Sequence, residues 1–200
     1  MPIIIRDPDH AGGIVSNLLV ESVDLYPTLA GLAGLPPPPD VDGVDLSTLF
    51  TNPNPDQPPK PNVAFSEYPR CAPPDAPWTP EHTCGGGWSH QGNETCPSPQ
   101  SCVNTPRHRF TIMGYSVRTD EWRYTEWVWW DGAALAGDFG RAAAGIELYS
   151  HSGDTEEDFD LYENENVASA NPAVLKKLHQ AVLKQWGAAA GASQPIVFNV

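Results

Sequence analysis

The chain has 200 residues, 40% of them hydrophobic, enough for one ordinary domain with a modest core or for a small part of something larger. Against 25 Asp and Glu there are 11 Lys and Arg, a formal charge of −14 that repels phosphate backbones and anionic lipid and excludes nucleic acid as an expected partner. No run approaches the roughly 18 apolar residues of a membrane span, and 22 Pro and 17 Gly, clustered rather than spread, point to long loops between a few packed elements.

The first residues, Pro2-Ile3-Ile4-Ile5-Arg6-Asp7, lack the basic region and apolar stretch of a secretory signal. A β-branched run bounded by Pro and Asp reads instead as a buried strand that begins in mid-fold, so an N-terminal part is expected to be missing. Residues 17–33 read as a helix, because Leu18, Leu19, Val23, Leu25, Tyr26, Leu29 and Leu32 recur mostly at three- and four-residue steps. Pro27 should start a new turn or kink it, and Gly34 should stop it. The prolines of 36–39 enforce an extended exit. Residues 41–50 hold a short turn of helix at most, and 51–61 are loop.

Val63-Ala64-Phe65-Ser66-Glu67-Tyr68 is the next candidate strand, ended by Pro69. From 70 to 107 there is no periodicity, which in a compact domain marks a functional or disordered insert. All four cysteines, Cys71, Cys84, Cys96 and Cys102, fall there beside Asn93-Glu94-Thr95, an N-glycosylation pattern. Both features favour an oxidising compartment, secretory or lysosomal, and the four cysteines permit three pairings. His82, Cys84, His90, Cys96 and Cys102 could also ligate zinc, but no C-x₂₋₄-C pair exists and disulfides are preferred.

The clearest local unit is a hairpin, 110–119 and 122–130, joined by Asp120-Glu121. A two-residue turn sets Val117 opposite Tyr124 and Met113 opposite Val128 on one face. On the other face it sets Gly114 opposite Trp127, Ile112 opposite Trp129, and Arg118 opposite Arg123. Trp127 should lie over the bare Gly114 backbone, and the facing arginines demand an acid, for which Glu67 is the candidate. Residues 145–149 give a fourth strand and 152–160 a solvated acidic loop. Asn171-Pro172 should cap and open a helix with the stripe Leu175, Leu178, Val182 and Trp186, ended by Gly187. The expected fold is α+β, four antiparallel strands with one helix packed across them.

Residue chemistry alone shows no active site. The acidic loop Asp154, Glu156, Glu157, Asp158, Asp160 lacks an EF-hand's glycine turn and ligand rhythm. Nothing places two of Glu67, Glu126 and Glu147 at a glycosidase separation. No G-x-S-x-G or phosphate loop occurs. A non-catalytic rival is a carbohydrate-binding module with Trp127, Trp129 and Trp130 as a stacking platform, which requires Arg107, Arg109, Arg118 and Arg123 to form a local basic patch against the overall negative charge.

In order along the chain, "VESVDLYPTLAGLAGLPPPP", "VAFSEYPR", "TIMGYSVRTDEWRYTEW" and "GIELYSHSGDTEEDFDLYENENVA" resemble the C-terminal part of the type I sulfatases, most closely their iduronate-2-sulfatase branch. The cysteine-rich loop is longer than that branch leads one to expect. The resemblance implies an alkaline-phosphatase-like protein: residues 1–35 as the tail of its catalytic α/β domain, 36–62 as a Pro-rich linker, and 63–200 as the small C-terminal domain with its four-stranded antiparallel sheet, C-terminal helix and insert at 70–107. It also implies hydrolysis of glycosaminoglycan sulfate esters in lysosomes, through a formylglycine made from Cys in C-x-P-x-R and a calcium ion of the full-length enzyme. No catalytic or metal-binding residue carries over. Cys71-Ala72-Pro73-Pro74-Asp75 ends in Asp where the motif needs Arg, and Cys96 is followed directly by Pro, so Cys71 is expected to be a disulfide partner. The chain should need a missing N-terminal sulfatase domain and, with it, a sulfated glycan substrate, but no cofactor of its own. Arg70 is expected either to contact the substrate's uronate carboxylate or to pair with Glu67 or Asp75.

Overall fold

The computed structural model describes residues 2–10, 12–36, 39–71, 102, 105–154 and 161–187. Its centre is the hairpin of β2 (Ile112–Arg118) and β3 (Trp122–Asp131), closed by the expected two-residue turn, in which Thr119 N–H donates to the Trp122 carbonyl at 2.8 Å. Every facing pair derived from that turn is present, from Ile112 opposite Trp129 to Arg118 opposite Arg123. Outside it, β1 (Ala64–Arg70) pairs antiparallel with β2, and β5 (Gly145–Ser150) pairs antiparallel with the first part of β3. A two-residue strand, β4 (Ala136–Gly137), extends the far end of β3. Pro69 lies within β1 instead of ending it, because on an edge strand a missing N–H need leave no ladder bond unmade.

Alternation along the strands sorts the side chains. Met113, Tyr115, Val117, Tyr124, Val128 and Leu148 point to one face, where they are buried under Leu178, Ala181 and Val182 of α2 (Pro172–Val182). A π-helical turn, Leu183–Gly187, then carries Trp186 onto Tyr115, ring centroids 4.7 Å apart, and edge-on to Phe65 at 5.5 Å. The helix starts at Pro172 as expected, but Asn171 does not cap it with its side chain. Its amide N–H donates instead to the Val167 carbonyl at 2.9 Å, within the short turn that precedes the helix. On this face one carboxylate is buried: Glu126 Oε2 accepts from the Tyr124 hydroxyl at 2.9 Å and lies 2.8 Å from His179 Nδ1 of α2.

The N-terminal third departs from its sequence pattern. Residues 2–6 form no strand, and Ile4 is 90% exposed, since a β-branched run has no ladder to join without a neighbouring strand. The helix is also shorter than its apolar spacing suggested: a 3₁₀ turn, Ser22–Asp24, leads into α1 (Leu25–Leu32). Pro27 sits in the first turn of α1, where its missing N–H is harmless, while residues 18–21 stay extended. Gly34, at φ 66°, ends the helix as expected, with Leu35 N–H returning to the Ala30 carbonyl.

What ties this segment to the sheet is a buried cation. Lys60 Nζ donates to Glu21 Oε2 at 2.5 Å and to Asp24 Oδ2 at 2.9 Å, and Glu21 Oε1 accepts the Phe65 N–H of β1 at 2.8 Å. The apolar residues around α1 remain uncovered. Val15, Val23, Tyr26, Leu29 and Leu35 are all more than half exposed.

Candidate functional site

The face of the sheet opposite α2 carries the other half of each strand's side chains. It forms a shallow groove of about 550 Å³, floored by Gly114, Ser116, Thr125 and Trp127, with Ser66, Tyr68 and Arg70 along one side and Glu147 and Tyr149 along the other. Glu163 and Asn164, from and just after the short turn Leu161–Glu163, close one end.

Gly114 makes the floor possible. A Cβ there would stand 2.5 Å from Trp127 Cζ3, so the indole lies directly on the glycine backbone, as its sequence position opposite Trp127 implied. Over the other side of the indole lies Arg70, its guanidinium carbon 4.7 Å from the ring centroid. The indole N–H donates to Glu147 Oε1 at 2.9 Å, and the Tyr149 hydroxyl donates to Glu147 Oε2 at 3.3 Å. Burial, then the Glu147 charge, holds the Tyr149 phenol above its ordinary range.

Arg70 has no carboxylate within ion-pair distance among the described residues, and its Nε is shut off from solvent without an acceptor. Glu67 cannot serve it, because alternation puts Glu67 on the α2 face opposite Tyr115. The same parity overturns Glu67 as the acid between Arg118 and Arg123. That acid is Glu163, whose Oε2 lies 2.9 Å from Arg123 Nη2. Burial lowers the Arg118 guanidinium's proton affinity, and the charges of Glu163, Asp154 and Asp120 work against that loss. His151 stands behind Glu163, between it and Asp154.

The tryptophans do not form a free stacking platform. Trp127 is covered by Arg70, and Trp129 by Arg141, 3.7 Å from its centroid. Trp130 packs beside Phe110 and donates its indole N–H to the Arg107 carbonyl at 2.8 Å. Nor do the arginines make one patch. Arg107 sits at the Trp130 end of β3 and Arg123 at its start, roughly 20 Å away at ~3.3 Å per residue.

Of the cysteine loop, Cys71 is bonded to Cys102 with Cα atoms 5.9 Å apart, as a disulfide partner should be. Cys84, Cys96, Asn93, His82, His90 and Asp75 lie outside the described residues, as do Glu156, Glu157, Asp158 and Asp160. Glu126 and Glu147 sit on opposite faces of the sheet and cannot work as a pair on one bond. No cluster of three His, Cys, Asp or Glu able to hold a metal ion occurs among the described residues. Among the described residues, Glu147 is engaged by Trp127 and Tyr149 and Glu163 by Arg123, while Arg70 has no carboxylate within ion-pair distance.

No family model matches the chain. Mouse iduronate 2-sulfatase is 34% identical to it over 161 residues, 72% of this chain and 25% of the relative, and the human enzyme matches to the same extent. The chain thus spans about a quarter of the length of these curated relatives. Among solved structures, the phosphonate monoester hydrolase SpPMH from Silicibacter pomeroyi superposes over 90% of this chain and 27% of its own, with TM-score 0.55 at 23% identity. BT4656, in complex with its substrate D-glucosamine-2-N,6-O-disulfate, covers 91% of this chain and 27% of its own, with TM-score 0.51 at 18% identity. Both likenesses concern the fold.

Proposed function

Because this chain belongs to the type I sulfatase family, we propose that it is the small-sheet, C-terminal part of an iduronate-2-sulfatase-like hydrolase acting on glycosaminoglycan sulfate esters, inactive without an N-terminal catalytic half. The supporting observation is the 34% identity over 161 residues, coupled to a Cys71 that is already in a disulfide. A cysteine locked to Cys102 is no nucleophile. This chain's part is then to bind and position. Arg70, stacked on Trp127 and with no acid beside it among the described residues, is the group offered to the substrate's uronate carboxylate. The disulfide suits a lysosomal or secreted enzyme. The exposed apolar side chains around α1 suit a surface that the catalytic half covers.

The test is complementation. The chain is co-expressed with the N-terminal three quarters of a homologous sulfatase and assayed on a sulfated uronate disaccharide. Hydrolysis is expected from the assembled pair and from neither part alone. Turnover by the 200-residue chain alone, or an assembled but inert pair, would overturn the reading. In the active assembly Arg70→Ala should raise KM while leaving kcat nearly unchanged.

A further inference from the structure

Behind Glu163, at the closed end of the groove, stands an imidazole with a carboxylate against each nitrogen. His151 follows β5, and its side chain is 9% exposed. Nδ1 lies 2.9 Å from Asp154 Oδ2, and Nε2 lies 3.2 Å from Glu163 Oε1. The second contact is a charge approach rather than an aligned hydrogen bond, and Nε2 is closed to solvent. A neutral imidazole carries a single N–H. Whichever nitrogen holds it, the other then turns a lone pair toward a carboxylate oxygen, and only the imidazolium makes both contacts attractive.

The surroundings ask for the same charge. Glu163 shares its other oxygen with Arg123 of β3, and Arg118 of β2 interacts electrostatically with Asp154 and Glu163. The turn between β2 and β3 adds Asp120 and Glu121, and the carbonyl of Glu121 accepts the His151 N–H at 2.7 Å. Tyr149 of β5 lies under Arg123, while Tyr162 stacks on the imidazole and donates its hydroxyl to the Gly153 carbonyl. Among the described residues three carboxylates, Asp154, Glu163 and Asp120, thus stand near two guanidinium groups, and a proton on His151 evens the count.

We propose that His151 is a proton-operated clamp. In acid it holds the turn after β5 against the Leu161–Glu163 turn and, through Glu163, fixes Arg123 at the end of the groove. As the pH rises and the imidazolium loses a proton, one of the two contacts turns repulsive, the turns part, and Arg123 loses its fixed partner. The clamp extends the reading of the chain as part of an enzyme of acidic compartments. Its test uses no sulfate ester, so either can fail without the other.

The experiment is an NMR titration of the full 200-residue chain, with ¹⁵N-labelled His and ¹³C-labelled Asp and Glu carboxyls, from about pH 4.5 to about pH 8. Both His151 ring nitrogens should show imidazolium shifts at the acid end. The Asp154 and Glu163 carboxyl signals and the Arg123 Nε–H should then move with the same midpoint as the ring. Amide exchange at 150–154 and 161–163, corrected for its intrinsic pH dependence, should slow by roughly tenfold from neutral to acid, the size of one charge-assisted contact. His151→Gln should abolish that change. A neutral His151 ring at about pH 5, carboxyl signals indifferent to its titration, or the same exchange profile in His151→Gln would each overturn the clamp. Should the variant fail to fold, the titration of the unaltered chain decides.

Discussion

Gly114→Ala tests whether the groove floor is the close-packed object described above. The new Cβ would stand 2.5, 2.8 and 2.9 Å from three atoms of the Trp127 ring. The ring has nowhere to retreat: its indole N–H is bonded to Glu147 and Arg70 lies over its face. Overpacking costs about 1–3 kcal/mol. Displacing the indole adds about 1 kcal/mol for the lost hydrogen bond and about 0.5–1 kcal/mol for the lost guanidinium contact. Replacing a strand glycine returns about 0.5–1 kcal/mol of backbone entropy. The net loss is about 1.5–4.5 kcal/mol, seen in urea as a midpoint lowered by about 1–2 M with an unchanged slope. The decisive measurement is the same substitution in a Trp127→Ala background, where the space is open and Ala should be neutral or slightly stabilising. An equal cost in both backgrounds, or a cost below about 0.5 kcal/mol in the natural one, would refute the packing argument.

Lys60→Met leaves Glu21 and Asp24 without their buried cation and should cost about 3–5 kcal/mol. Limited proteolysis would show this as new cleavage around α1, and an unchanged pattern would count against the Lys60 tether. At high pH, burial and secondarily the Glu67 charge push the Tyr115 phenol up to about 12, and burial, then Glu126, also raises Tyr124. The fold favours the neutral phenols, so their stabilisation is intact below the ordinary value of about 10, and the Tyr115 share is lost as the pH climbs through about 12, that of Tyr124 higher still. Absorbance near 295 nm should find these two of the six tyrosines silent until the chain unfolds; all six titrating together in a folded chain would contradict it. Cys71→Ala opens a loop of sequence separation 31 and should lower stability by about 3–4 kcal/mol, with reduction of the unaltered chain giving a matching loss in chemical denaturation.

The hairpin was legible because everything that sets its register is local. A two-residue turn and strict alternation leave one pairing that buries Val117, Tyr124 and Val128 together, and Gly114 then falls under Trp127 without further information. The same holds for α2, whose stripe at Leu178, Val182 and Trp186 specifies its buried side. Glu163 was not legible. It reaches Arg123 from 40 residues downstream, across the acidic segment, and no periodicity links them. Glu67 looked nearer in the chain but lies on the wrong face, because the long connection between β1 and β2 leaves the parity of their pairing open to sequence reasoning. His151 gave no signal in the sequence: Asp154 was read only as part of a solvated acidic loop, and Glu163 reaches the ring from twelve residues downstream. Isoleucines 3–5 show the converse error: β-propensity without a neighbouring strand does not make one.

The Cys71–Cys102 bond sets the chain's exit from β1 and its return to within 5.9 Å of each other. For the sheet, the bond itself acts as a single staple at the end of β1. It lies one residue beyond the last pair of the ladder, Arg70 opposite Ile112, so the chain leaves β1 from a fixed point. The bond works as a hem: it finishes the edge strand next to Arg70, the residue that lines the groove on that side.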